Sequence, residues 1–243
     1  LNPNIDDFEL AFLFPFKTIA KKITYAASTG NASPDDIRKI QHYLDDFVKI
    51  SIREQKDIGK FDAKIAARLS VVCDPVMLLR ADAWNNMMEH PSEKPYLICY
   101  FLHKKLFCKE FAIAQKIAKE RGLELKVINA RFGPNSFRKG TIFDAGPGEF
   151  VNLIANASYV CTDSFHGTLF SLVFHKQFSS LDTKQNLHDT RKKGLLESVG
   201  ATAAYQNVED PLKICSTLDY KEIDCRMEEI RKSAAKFLEI LDE

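Results

Sequence analysis

Along the chain, short apolar runs of strand length alternate with segments whose apolar residues recur every three or four positions. That alternation is the signature of βαβ units, and it predicts mostly parallel sheets. The first part of the pattern predicts a strand at Ile23–Ala26, a helix at Pro34–Phe47 with Ser33 as its N-cap and Pro34 in its first position, and a strand at Val48–Ile52. Arg53 stands just past the carboxyl end of that strand. A helix over Gln55–Ala67 and a short strand at Val71–Cys73 follow, and Asp74-Pro75 stops the ladder because proline has no N–H to donate.

Between Trp84 and Pro95 the patterning lapses into polar residues and prolines, which predicts a domain boundary near Glu93. A second α/β unit then begins with a strand at Tyr96–Phe101, a helix at Phe107–Arg121 ended by Gly122, and a strand at Glu124–Ile128. The pattern continues with strands at Thr141–Phe143, Tyr159–Cys161 and Phe178–Leu181, and with helices at Pro147–Ala155 and Phe165–Phe174. A long amphipathic helix at Tyr220–Leu241 carries Ile223, Met227, Ile230, Ala234, Phe237 and Leu241 on one face. The expected organisation is a first Rossmann-like domain over 1–93, a second over 94–218, and a helix over 219–243 that packs back on the body. The opening Leu1-Asn2-Pro3-Asn4 reads like the middle of a loop, so the first domain is expected to be incomplete at its start.

Composition narrows the function classes. With 34 basic and 33 acidic residues among 243, no long-range field draws the chain to nucleic acid or to an anionic membrane, so an anionic ligand must be held by local groups. No apolar stretch reaches membrane-spanning length. The six cysteines form no CxxC pair, which predicts free thiols of a reducing cytoplasm and argues against structural zinc. His42, His90, His103, His175 and His188 lack metal-ligand spacing and read as surface residues, so no metal and no cofactor are expected.

Ligands of open parallel sheets bind beyond the carboxyl ends of the strands. Two segments with reactive side chains fall there. In Ser51-Ile52-Arg53-Glu54, Arg53 can form two parallel hydrogen bonds to a carboxylate or phosphate, or it can simply pair with Glu54 or Asp57. In Cys161-Thr162-Asp163-Ser164-Phe165-His166-Gly167-Thr168 a strand runs into a helix near Phe165. The first N–H groups of that helix, Phe165 to Thr168, suit an anion. Ser164 and Thr168 add hydroxyls, Gly167 allows close approach, and His166 can change protonation near neutral pH. A helix capped by Asp163 or Ser164 with an incidental histidine is the plainer alternative.

The run from Gly146 to Ser171, with Asn152-Leu153-Ile154-Ala155-Asn156-Ala157-Ser158 leading into Thr162-Asp163-Ser164-Phe165-His166-Gly167-Thr168, resembles the most characteristic block of bacterial polysaccharide pyruvyl transferases. Tyr25-Ala26-Ala27-Ser28 with Gly30, Ile52-Arg53-Glu54, Asp74-Pro75 with Leu78 and Leu79, and Trp84 agree in order, so that the resemblance covers about Asn2 to Gly200. It implies a fold similar to GT-B glycosyltransferases, with two Rossmann-like domains and the active site in the cleft between them. It also implies transfer of the pyruvyl group of phosphoenolpyruvate onto two hydroxyls of a sugar, with a saccharide or lipid-linked oligosaccharide as acceptor. By this resemblance His166 corresponds to the family's essential histidine, and Arg53 looks like the arginine that approaches the donor from the other domain. Many relatives carry an arginine two residues before the histidine; Ser164 stands there, and Arg191 is the candidate substitute.

Asp163 and Glu54 are the candidate bases, and Ser164, Phe165, Gly167, Thr168, Arg191 and Glu54 the candidate substrate contacts. A cytoplasmic enzyme with no nucleic-acid partner follows, with room for peripheral association at the inner membrane face. Two other readings share the architecture: a sugar-nucleotide glycosyltransferase, and a non-catalytic carbohydrate-binding relative.

Overall fold

The computed structural model describes residues 13–30, 32–87, 94–103, 105–129, 140–182, 191–209 and 217–239. Leu1 to Asn4, His90, Glu93, His188 and Leu241, named above, lie outside these. The described chain divides into two compact units: Leu1–Leu78 with Met227–Glu243, and Leu79–Arg226.

In the first unit β1 (Lys22–Ile23) is followed by α1 (Pro34–Ile40) and β2 (Phe47–Ile52). Ser33 caps α1 in a reciprocal box with Asp36, and Pro34 sits in its first turn, as expected. The helix is shorter than its apolar pattern suggested: after Ile40 the chain tightens into a 3-10 turn over Gln41–Asp46. The acidic pair Asp45-Asp46 opposes the helix dipole there, and Phe47 is buried as the first residue of β2. The helix predicted over Gln55–Ala67 is also divided, into a 3-10 segment at Gln55–Lys60 and α2 (Ala63–Ala66). Gly59 weakens the interior of that helix, and Asp62 starts a new one by accepting from the Ile65 N–H. β3 (Leu69–Val71) and α3 (Pro75–Leu78) complete this stretch. β1, β2 and β3 lie side by side, all parallel, with Ile50, Ser51 and Ile52 opposite Leu69, Ser70 and Val71. Ile37, Ile40, Leu44, Phe47, Ile50, Ile52, Phe61 and Ile65 form the core beneath them.

The second unit contains β4 (Tyr96–Tyr100), α4 (Phe107–Arg121), β5 (Glu124–Ile128), β6 (Thr141–Ile142), α5 (Pro147–Ala155), β7 (Tyr159–Thr162), α6 (Phe165–Val173), β8 (Phe178–Asp182), α7 (Arg191–Ser198) and β9 (Tyr205–Asn207). Gly122 ends α4 with a left-handed φ of 64°, the conformation glycine adopts without a Cβ penalty. The strands form one parallel sheet in the order β6-β5-β4-β7-β8-β9. Helices cover both faces of such a sheet, and Leu97, Ile98, Cys99, Tyr159, Val160 and Cys161 in its centre are correspondingly inaccessible. From β4 the chain winds outward through β5 and β6, then returns to the other side of β4 with β7. The strand order therefore reverses between β4 and β7, which is where open parallel sheets form ligand crevices.

The division between units falls between Leu78 and Leu79, and Glu93, where a boundary is expected from the sequence, lies outside the described residues. A 3-10 segment at Ala81–Met87 packs on α5, and the Trp84 ring meets Phe170 of α6 edge-on at 5.1 Å, so this stretch belongs to the second core. α8 (Tyr220–Leu238) is shared rather than separate. Its start belongs to the second unit, where His175 pairs with Asp224 at 2.9 Å. Its end belongs to the first, where Arg231 donates to the Met77 carbonyl at 2.6 Å. Ile223, Met227, Ala234 and Phe237 of the expected apolar face are buried. Cys73, Cys99 and Cys161 are buried, and Cys108 and Cys225 are exposed. Among the described residues, no helix is long and apolar enough to cross a membrane.

Candidate active site at the strand-order reversal

Tyr100 and Thr162 face each other at the carboxyl ends of β4 and β7, joined by a bond from the Thr162 hydroxyl to the Tyr100 carbonyl of 2.6 Å. Beyond them Asp163 ties the two chain segments together. One of its oxygens accepts from the Leu102 N–H at 2.7 Å; the other accepts from the His103 N–H at 2.8 Å and lies 2.7 Å from His103 Nδ1. The Asp163 side chain is 1% exposed, whereas the His103 ring is 44% exposed. Asp163 therefore does not face a substrate as the expected base; its buried carboxylate is occupied by groups that it orients.

Ser164 caps α6, accepting from the Gly167 N–H at 3.3 Å, while its carbonyl takes the Thr168 N–H and the Thr168 hydroxyl, each at 3.0 Å. Two of the four N–H groups expected to be open to an anion are thus satisfied inside the helix. Thr168 is fully buried and its hydroxyl also meets Ser180 at 2.8 Å, so it braces α6 on β8 rather than reaching outward. Gly167 allows a close approach, but of Thr162: a Cβ would stand 3.0 Å from Thr162 Cβ and Cγ2 and nearer still to its hydroxyl. Gly167→Ala is expected to cost about 1–3 kcal/mol by overpacking a side chain that is itself pinned to Tyr100. Thermal melting checks this, and an unchanged midpoint would show that Thr162 can give way.

His166 is exposed in the first turn of α6, its ring edge-on to Phe165 at 5.6 Å. Arg191, at the start of α7, lies over the same Phe165 ring at 5.9 Å. The candidate substitute for the arginine absent at Ser164 is therefore a neighbour of the His166 segment. Lys192, the next residue, is buried. Its ammonium donates to the carbonyls of Asp163 and Leu181 at 2.7 and 2.5 Å and lies 3.6 Å from Asp182. The signal was present: the buried stripe of Leu196 and Val199 extends one turn back to Lys192.

Sequence reading also missed His103 and Glu110. His103 is exposed, as expected of a surface residue, and it also follows a strand's carboxyl end just as the other candidates do. Glu110 lies on the buried stripe of α4 with Phe111, Ala114 and Ile117, where a charged residue is out of place. It is fully buried, and among the described residues neither carboxylate oxygen has a hydrogen-bond partner. Burial, with Asp163 nearby, pushes its carboxyl up to about 8, so that it holds a proton at neutral pH. Atoms of His103, Glu110 and Asp163 come within 4.8 Å of one another, a convergence from three elements that motif spacing could not reveal. Because Asp163 already accepts from three N–H groups, this reads as a hydrogen-bonded pair beside a neutral acid, not as an open ligand set.

In the first unit Arg53 is held by carboxylates, Glu54 at 3.0 Å and Asp74 at 2.5 Å. Glu54 was an expected partner; Asp74 replaces Asp57, which pairs with Lys60 at 3.0 Å. Glu54 also accepts from the Ser28 hydroxyl at 2.8 Å and is buried, with one oxygen unpartnered among the described residues. Its burial outweighs the lowering effects of Ser28 and Arg53 and raises its carboxyl above the usual range.

A family model described as polysaccharide pyruvyl transferase matches residues 1–185, which include Arg53 and the whole segment from β7 into α6. The chain belongs to the polysaccharide pyruvyl transferase family. No curated protein matches it. Among solved structures it is similar to a putative UDP-N-acetylglucosamine 2-epimerase from Listeria monocytogenes, at 12% identity and a TM-score of 0.51 over 83% of this chain and 60% of that one. It is also similar to Arabidopsis thaliana UGT89C1 complexed with UDP-L-rhamnose, at 12% identity and a TM-score of 0.50 over 87% and 62%. The chain thus spans about 60% of the length of these structures. At such identities the likeness shows the fold alone: Rossmann-like units of the GT-B class, as the resemblance implied.

Proposed function

We propose that this member of the polysaccharide pyruvyl transferase family transfers the pyruvyl group of phosphoenolpyruvate to two hydroxyls of a saccharide, forming a cyclic ketal and releasing phosphate, in the cytoplasm. The observation that carries the reading is the coincidence of the family's characteristic block with the strand-order reversal of the second unit. The reaction needs a proton delivered to the donor's methylene carbon, a base for the attacking hydroxyl, and groups that hold a carboxylate and a phosphate. His166, exposed at the head of α6, is the proposed acid. The positive end of the α6 dipole and the guanidinium of Arg191 are the proposed anion ligands in this unit. Arg53 is the proposed donor ligand of the first unit, with Glu54 and Asp74 fixing its guanidinium.

Protonation at the methylene carbon makes the neighbouring carbon electrophilic. A sugar hydroxyl then adds to it, phosphate leaves, and the second hydroxyl closes the ring while its proton passes to phosphate. The acceptor is proposed to be a free or lipid-linked oligosaccharide. Incubation with phosphoenolpyruvate or with a panel of UDP-sugars separates this reading from sugar transfer. Inorganic phosphate from the former is expected; nucleoside diphosphate from the latter would replace the proposal with the glycosyltransferase alternative.

A further inference from the structure

We propose that His103 is the general base of this site, taking the proton of the attacking sugar hydroxyl on Nε2, with Asp163 as its positioning residue. This rests on the pyruvyl-transfer reading and supplies the base that reading lacked, since Asp163 and Glu54 are both buried.

Three features of the geometry support it. His103 follows β4 and the α6 segment follows β7, on the two strands between which the order reverses. One carboxylate fixes both its backbone N–H and its ring, at 2.8 and 2.7 Å, so the ring direction is set before any ligand arrives. With Nδ1–H donated to Asp163, Nε2 is the nitrogen left to exchange a proton with a ligand. The exposures divide in the same sense, a ring that reaches solvent over a carboxylate that does not.

Among the described residues, charges on several elements act on the ring. The hydrogen bond to Asp163 raises the His103 pKa, its partial burial opposes this, the Asp163 charge adds to the rise, Lys192 of α7 opposes it, and Asp182 of β8 adds to it. Glu110 of α4 is uncharged at neutral pH and contributes no full charge. The outcome is a stronger base than an ordinary imidazole. In the step, the sugar O–H bond breaks as its oxygen bonds to the donor's central carbon, and the proton goes to Nε2. His166 has by then given its proton to the methylene carbon, so the two histidines exchange one proton through solvent to reset.

The test is the pH profile of kcat/KM for phosphoenolpyruvate turnover in wild type, His103→Gln and Asp163→Asn, with melting curves of each. A base must be neutral to act, so wild-type activity is expected to rise with pH through a limb above the ordinary histidine value of about 6.5. His103→Gln is expected to lose kcat roughly 10²- to 10⁴-fold with little change in KM, and to lose that limb. Asp163→Asn is expected to keep the limb but move it to lower pH. Wild-type kcat in a folded His103→Gln overturns the proposal; where that variant does not fold, an unmoved limb in Asp163→Asn overturns it. Activity lost on chelation and restored by manganese also overturns it, by making the cluster a metal site. A wild type that turns over while His103→Gln is unaffected sinks only the base assignment, whereas a wild type inert toward phosphoenolpyruvate sinks the pyruvyl-transfer reading and this assignment with it.

Discussion

His166→Ala is expected to lower kcat for phosphoenolpyruvate turnover roughly 10²- to 10⁴-fold, the range associated with loss of a positioned acid. The fold should survive. His166 is exposed, and α6 is anchored by residues on its other faces: Gly167 against Thr162, Thr168 against Ser180, and the buried Leu169 and Leu172. A surface substitution away from such contacts shifts stability by no more than about 0.5 kcal/mol. Single-turnover kinetics beside a melting curve would separate the effects. Near-wild-type turnover with an unchanged midpoint removes His166 from the mechanism, and a collapsed midpoint would mean that its role is structural.

A second large effect is expected in the pH dependence of stability. The Glu110 carboxyl titrates at about 8 in the folded chain against 4.5 for the unperturbed group. Between those values the folded state holds a proton that the unfolded state has lost, so stability must fall as pH rises. Integrated from pH 5 to pH 8, this one group removes on the order of 3 kcal/mol. Glu110→Gln keeps the shape and deletes the titration, so the variant should lose less stability over the same interval and be the more stable protein at pH 8. Denaturant unfolding at a series of pH values measures this; parallel curves for the two proteins would mean that Glu110 is ionised, and therefore partnered, in the folded state.

The fold was more legible than the site. Helices α4, α5 and α6 and strands β4, β5, β7 and β8 follow directly from the apolar periodicity, because each buries one stripe or two full faces. The first unit was harder: its helical stretches are interrupted after Ile40 and at Gly59 to Asp62, where local chemistry overrides a continuous pattern. The carboxyl-end rule located the Asp163 to Thr168 segment and Arg53, yet it could not tell outward-facing groups from bracing ones. Ser164, Thr168 and Gly167 turned out to serve α6 itself. Long-range partnerships stayed invisible, since nothing in spacing connects His103, Glu110, Asp163 and Lys192, which four separate elements bring together.

The central claim is the transfer of a pyruvyl group from phosphoenolpyruvate, and the most direct measurement follows donor and acceptor in one reaction. Protein, phosphoenolpyruvate and a panel of free and lipid-linked oligosaccharides are incubated together; phosphate is quantified, and each acceptor is weighed by mass spectrometry. The account predicts one phosphate released for each acceptor that gains the mass of a pyruvate ketal, with neither change in His166→Ala. An acceptor that gains a sugar from a nucleotide donor, or phosphoenolpyruvate left intact across the whole panel, would contradict it.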